Sequence, residues 1–196
     1  YYTEPQTTQI EKMLHLAQIP EENIRIVSIK ESVNTLAENL KLQFGDETKI
    51  RRGNIAARVR MIMLFDYAKE KDALVCGTEN KSENLLGYFT RFGDQASDIE
   101  PIEHLYKTQI FQLAHYLGVP DEVIQQQPTA GLWQGQTDEG QFGFTYKEAD
   151  QVLSLALEKH VSAQELVNQG FLNAKKILEW REQNLFKHKT PYILNK

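Results

Sequence analysis

The chain of 196 residues holds one cysteine, Cys76, so it closes no internal disulfide. That scarcity suits a reducing compartment such as the cytoplasm. The apolar neighbours Ala73, Leu74 and Val75 predict a packed core thiol. No apolar run approaches the ~18 residues of a membrane span, and no signal-peptide pattern opens the sequence. An excess of positive charge is also lacking. The formal net charge is -5, which argues against a general nucleic-acid or membrane surface and leaves room for a local basic pocket. Low-complexity tracts and internal repeats are absent. His15, His104, His115 and His160 stand at no metal-ligand spacing with a cysteine pair and read as structural.

What is present is an ordinary globular composition, 41% hydrophobic and 25% charged, enough for one domain with one substantial core. Apolar spacing predicts helices over 5–18, 32–42, 53–71 and 105–117. The first has a stripe of Ile10, Met13, Leu14 and Ala17. The third should turn Ile55, Val59, Ile62 and Met63 inward, and the fourth Ile110, Leu113, Ala114 and Leu117. Short β-branched or apolar runs at 24–29 and 73–76 predict buried strands, and 96–102 a further extended piece. Ser28 with Glu31, Thr145 with Glu148 and Ser162 with Glu165 match capping boxes. Residues 44–52 read as a mobile connection, and 128–143 as a long loop anchored by Trp133 and Phe142. Strands alternating with helices imply an α/β fold, a parallel sheet with helices on both faces. Its strand ends then gather Thr78, Glu83, Lys107 and the 128–143 loop around one crevice.

The segment from Gly77 to Asp98 carries the densest chemistry. Thr78 follows a strand directly, where it meets a nucleotide edge or caps a helix. Glu83 is a Mg²⁺ ligand of the single-carboxylate type or a solvated side chain. Lys107 opens a helix, where the macrodipole favours an anion and disfavours a lysine; a bound phosphate explains that placement better than stability does. Arg58 and Arg60 point to different faces of one helix, so one is free to hold a carboxylate or phosphate while the other is structural.

In order along the chain stand G-N-I-A-A-R-V-R-M, V-C-G-T-E-N-K-S-E, G-Y-F-T-R-F-G-D, D-I-E-P-I, L-Y-K-T, P-T-A-G-L-W-Q-G-Q-T-D-E and a terminal H-K. This set closely resembles the ammonia-dependent NAD synthetases, over nearly the whole chain. The resemblance implies an adenine nucleotide alpha hydrolase-like fold and a cytoplasmic homodimer. It also implies a ligase that uses ATP and Mg²⁺ to adenylate the carboxylate of deamido-NAD, which ammonia then converts to the amide. By motif match, Arg58, Arg91, Asp98, His188 and Lys189 correspond to deamido-NAD contacts. Thr78, Lys107 and Thr129 correspond to ATP contacts, and Glu83 to a Mg²⁺ ligand. Arg91 departs from the usual lysine. The loop around Thr137, Asp138 and Glu139 resembles one that orders over the active site; no general base is assigned.

The family's S-G-G-x-D-S loop, which grips pyrophosphate, has no counterpart here. Tyr1-Tyr2 reads as the exit of a strand, so 1–196 is expected to be a single synthetase domain incomplete at its N-terminus. The expected missing piece is a strand–loop–helix–strand unit of roughly 50–60 residues. Alone, the chain is expected to be inactive. A glutamine-dependent synthetase domain and a non-catalytic dinucleotide-binding remnant stand as the alternatives.

Overall fold

The computed structural model describes residues 4–43, 45–189 and 191–194. The inferred exit of a strand at Tyr1-Tyr2 lies outside them. Ten α-helices occur among the described residues. The first three are α1 (Glu4–Leu16), α2 (Lys30–Asn39) and α3 (Lys49–Lys71). The short α4 (Lys81–Leu86) precedes α5 (Lys107–Tyr116), α6 (Asp121–Ile124) and α7 (Asp138–Phe142). Then come α8 (Tyr146–Leu153), which runs on as a π-helical turn over Ser154–Glu158, α9 (Ala163–Asn168) and α10 (Ala174–Asn184).

Two apolar clusters hold these elements. The larger gathers Phe142, Tyr146, Leu153, Leu166 and Ile177 from α7 to α10, with Leu86 of α4. Phe142 is its hub. Its ring lies 4.5 Å from Tyr88, 5.2 Å from Phe144, 5.3 Å from Trp180 and 5.5 Å from Tyr146, mostly edge to face. The smaller cluster packs Val33 of α2 against Ala56 and Val59 of α3.

Several expectations need correction. Regular strand is absent among the described residues; one parallel bridge, Cys76 to Ile99, represents the expected sheet. Gly77 N–H donates to Ile99 O at 2.8 Å and Asp98 N–H to Val75 O at 2.9 Å. A strand exists only through its neighbours. Residues 24–29 have none here, and Ile26 and Val27 stand exposed. Cys76 is exposed for the same reason rather than packed, and Leu74 beside it is uncovered.

Helix α3 begins at Lys49, so residues 49–52 are helical rather than a connection. On it Ile62 is 59% exposed, because it follows Arg58 by one turn along the solvent stripe. Ile10, Leu113 and Leu117 are likewise exposed rather than inward. Ser28 accepts from Lys30 N–H at 3.3 Å and forms no reciprocal box, since α2 starts at Lys30 itself. Thr145 caps α8 as expected, but the Glu148 carboxylate turns to Asn173 (2.9 and 2.7 Å) instead of closing its box. The Ser162–Glu165 box forms as predicted.

Truncating the hub is expected to be expensive. Phe142→Ala should cost about 3–5 kcal/mol and lower the thermal midpoint accordingly, as measured by circular dichroism melting.

Candidate functional site

The bridge between 75–77 and 98–99 puts Gly77 at the mouth of a large cavity. A Cβ at Gly77 would overlap the Glu100 carboxylate, so this backbone approaches closely as glycine alone permits. Glu100 is itself fixed by Ser97 O–H (2.7 Å) and by Glu79 N–H (3.1 Å). The cavity measures about 850 Å³ and is lined by Thr78, Glu83, Lys107 and Thr129, with Asp138 and Lys187. That size lies within the roughly 300–1,000 Å³ typical of small-molecule sites.

The cavity's central pair is Glu83 and Lys107, which meet at 2.9 Å with both side chains largely sheltered. Glu83 also closes a capping box at α4: its Oε2 accepts Asn80 N–H while Asn80 Oδ1 accepts Glu83 N–H, each at 3.1 Å. Lys107 does not face an empty helix N-terminus. The buried carboxylate of Asp150 on α8 already sits there, accepting Thr108 N–H at 2.8 Å. The anion anticipated at this helix start is thus a side chain of the chain itself, and the lysine ammonium is turned to Glu83.

Close to this pair, where Lys107 Nζ lies 5.4 Å from the Tyr146 ring, the loop after Pro128 is tied across its ends. Asp138 N–H donates to Pro128 O at 2.9 Å, and the 3% exposed Asp138 carboxylate accepts Tyr88 O–H (3.1 Å) and Tyr146 O–H (3.0 Å). Burial raises the Asp138 carboxyl above its usual range while the two tyrosines oppose the rise. Burial also raises both phenols. Gln136 joins the group by donating to Tyr88 at 3.4 Å while accepting Leu132 N–H at 2.8 Å. Gly53 lets Leu132 rest against α3; a Cβ there would come within 2.8 Å of it.

The remaining sequence-predicted residues lie away from the cavity lining. Arg58 spans Arg91 O through Nε (3.3 Å) and Nη2 (3.2 Å), and the Arg91 guanidinium lies over Phe92 and Phe186. Asp98 Oδ2 accepts Val75 N–H at 2.8 Å. His188 Nε2 contacts Asn84 O at 2.8 Å, and Lys189 follows the 3₁₀ turn Leu185–His188. Among the described residues no three carboxylate, histidine or cysteine side chains gather as a metal cluster.

Sequence reasoning gave no role to Lys187, Glu79 or Asp150. Lys187 donates to Gly87 O (2.7 Å) and Phe89 O (3.2 Å), and burial lowers its pKa. Glu79 Oε1 is buried and has no hydrogen-bond partner among the described residues. Desolvation, with Asp94, Glu100 and Glu103 nearby, pushes that carboxyl up to about 8. The signal for Asp150 was available: it is the one charged position on the buried stripe Tyr146, Ala149, Asp150, Leu153.

The sequence matches the family described as NAD synthase over residues 3–191. The chain belongs to this family. It is 42% identical over 173 residues to an NH(3)-dependent NAD(+) synthetase of Fusobacterium nucleatum subsp. nucleatum, covering 87% of this chain and 66% of that protein. The chain spans about half to two thirds of the length of the curated relatives it matches. Among solved structures, an NMN synthetase from Francisella tularensis superposes with a TM-score of 0.81 at 33% identity, over 99% of this chain and 74% of the other. An NH3-dependent NAD synthetase from Campylobacter jejuni gives 0.75 at 28% identity, over 100% and 74%. The architecture is therefore that of NAD synthetases.

Glu79 yields a pH prediction. Its folded pKa of about 8 lies above the ordinary 4.5, so between those values the native state holds a proton that the unfolded chain releases. Its effect on stability is absent at low pH and grows more unfavourable until about pH 8. Glu79→Gln should therefore melt like the parent below pH 4.5 and increasingly above it as pH rises, by roughly 2–4 °C per kcal/mol recovered. A pH series of thermal melts measures it.

Proposed function

We propose that this chain is a large part of an ammonia-dependent NAD synthetase, a ligase that joins ammonia to the nicotinate carboxylate of deamido-NAD at the expense of ATP. The observation that carries the reading is the meeting of Glu83 and Lys107 in one cavity with Thr78 and Thr129, in a chain of this family.

A carboxylate is a poor acyl donor because oxide is a poor leaving group. In the proposed reaction a carboxylate oxygen of deamido-NAD bonds to the α-phosphorus of ATP, and pyrophosphate departs. Ammonia then bonds to the carbonyl carbon, AMP departs, and the nitrogen sheds its extra proton. Negative charge builds on the phosphates in the first step. Lys107 supplies a fixed cation there, and the hydroxyls of Thr78 and Thr129 orient the nucleotide. The pinned loop from Pro128 to Asp138 excludes water that would hydrolyse the adenylate. Glu83 offers one hard carboxylate beside a phosphate-binding lysine. That donor set fits Mg²⁺, which uses one or two carboxylates and fills the rest with phosphate oxygens and water. When bound, the ion neutralises phosphate charge.

Arg58, Arg91, Asp98, His188 and Lys189 are assigned to deamido-NAD in a homodimer. The exposed stripe of α3 that carries Arg58 and Ile62 supports a partner on that side. Light scattering of the whole protein should give the mass of a dimer; a monomer would count against this part.

We also infer that the whole protein supplies the S-G-G-x-D-S unit and with it a second carboxylate for the ion. The uncovered apolar side chains Ile26, on an unpaired segment, and Leu74, beside a segment bridged along one edge only, support that, as does the 74% coverage of the solved relatives. Cytoplasmic location goes with the reading; no described helix is long and apolar enough to cross a membrane. The glutamine-dependent alternative is not favoured. Solved enzymes of that type match at 22% and 21% identity, a likeness of fold alone. The Francisella likeness favours a second reading, amidation of the mononucleotide.

The test is turnover by the full-length protein with ATP, Mg²⁺ and ammonia, comparing deamido-NAD with nicotinate mononucleotide. Deamido-NAD should be the better substrate; binding without turnover would point to a remnant. Glu83→Ala should slow turnover at limiting Mg²⁺ by at least about tenfold, ~1.4 kcal/mol, and leave deamido-NAD affinity unchanged by calorimetry.

A further inference from the structure

We infer that Asp150 is the positioning residue of the nucleotide site, acting through Ser82 and Thr108 to set Glu83 against Lys107. This rests on the function proposed above for that pair.

Asp150 is 4% exposed and both of its oxygens are engaged. Oδ1 accepts Ser82 O–H at 2.5 Å; Oδ2 accepts Thr108 N–H at 2.8 Å and Thr108 O–H at 2.7 Å. Ser82, itself fully buried, passes the link on by accepting Lys107 N–H at 2.8 Å. One carboxylate therefore ties the first turn of α4 to the first turn of α5. Glu83 follows Ser82 directly and Lys107 precedes Thr108 directly, so the two cavity-facing groups are neighbours of the two clamped residues.

The electrostatics run the same way. A lysine in the first turn of α5 opposes the helix dipole, and a buried carboxylate at those amides offsets it. A second grip comes from the π-helical turn, which swings Glu158 out to Lys81 Nζ (2.7 Å) and Tyr106 O–H (2.8 Å), the residues just before Ser82 and Lys107. The element that carries Asp150 thus holds both helix starts in register. A carboxylate that served packing alone would have no reason to engage the residues flanking both members of the pair.

The experiment uses the full-length protein with Asp150→Asn and Ser82→Ala. Hydrogen exchange should speed at the Lys107 and Thr108 amides by about tenfold or more in Asp150→Asn, with α9 and α10 unchanged. The KM for ATP should rise at least about fivefold while the KM for deamido-NAD stays within about twofold. In a Lys107→Met background, Asp150→Asn should add less than about twofold, because its effect passes through the lysine.

Unchanged exchange at Lys107 and Thr108, equal rises in both KM values, or full additivity with Lys107→Met would each overturn the inference. If Asp150→Asn does not fold, Ser82→Ala decides: it removes the acceptor of Lys107 N–H together with the donor to Asp150 Oδ1, leaves Asp150 on Thr108, and should reproduce the ATP-selective pattern in smaller degree. Failure of the parent protein to turn over ATP would instead sink the function proposed for the site. The exchange arm needs no substrate and would still decide whether Asp150 holds the two helix starts.

Discussion

A single buried carboxylate constrains much of what faces the cavity. Asp150 accepts hydrogen bonds from the opening turns of two helices, α4 and α5. Short helices leave most of their terminal amides without internal partners, so their directions depend on whatever satisfies those groups. Here Asp150, Ser82 and Asn80 do so from buried positions, where an unmet partner would be costly. The ammonium of Lys107 and the carboxylate of Glu83 inherit their meeting point from that arrangement.

The aromatic hub explains how the loop from Pro128 to Asp138 stays in place. Phe142 closes α7 and packs against Tyr88, Tyr146 and Trp180. The same two tyrosines donate to Asp138, at the other end of α7. Apolar packing and polar satisfaction therefore act on one short helix from both sides. The loop that brings Thr129 to the cavity is tied back at Pro128 by the first amide of that helix. An acidic chain can still present local cations, because Lys107 and Lys187 are each held by oxygen partners at the cavity edge.

Much of this was legible in the residues. Helical spacing located α3 and α5, and the 162–165 capping box was read correctly. The expected strand ends gathered Thr78, Glu83, Lys107 and the 128–143 loop around one crevice, and Thr78, Glu83, Lys107 and Thr129 do line one cavity. Other residues misled, each for a physical reason. Cys76 looked buried because its neighbours in sequence are apolar, yet burial depends on a neighbouring strand that this structure lacks on one edge. Ile62 fits a helical period, but the period does not say which of two apolar stripes faces solvent. Lys107 suggested a phosphate at its helix start because only a tertiary contact could reveal Asp150 in that place.

Family membership, the helices α1, α2, α3 and α5 and the residue types lining the cavity follow from local spacing and from motifs that chemistry constrains, whereas the short α7 lies within 128–143, which the same spacing reads as a loop. Which oxygen meets which amide is settled only in the folded chain. Asp150 and Thr108 are far apart along the chain, and no periodicity encodes a hydrogen bond between helix starts that come together only when the aromatic core closes.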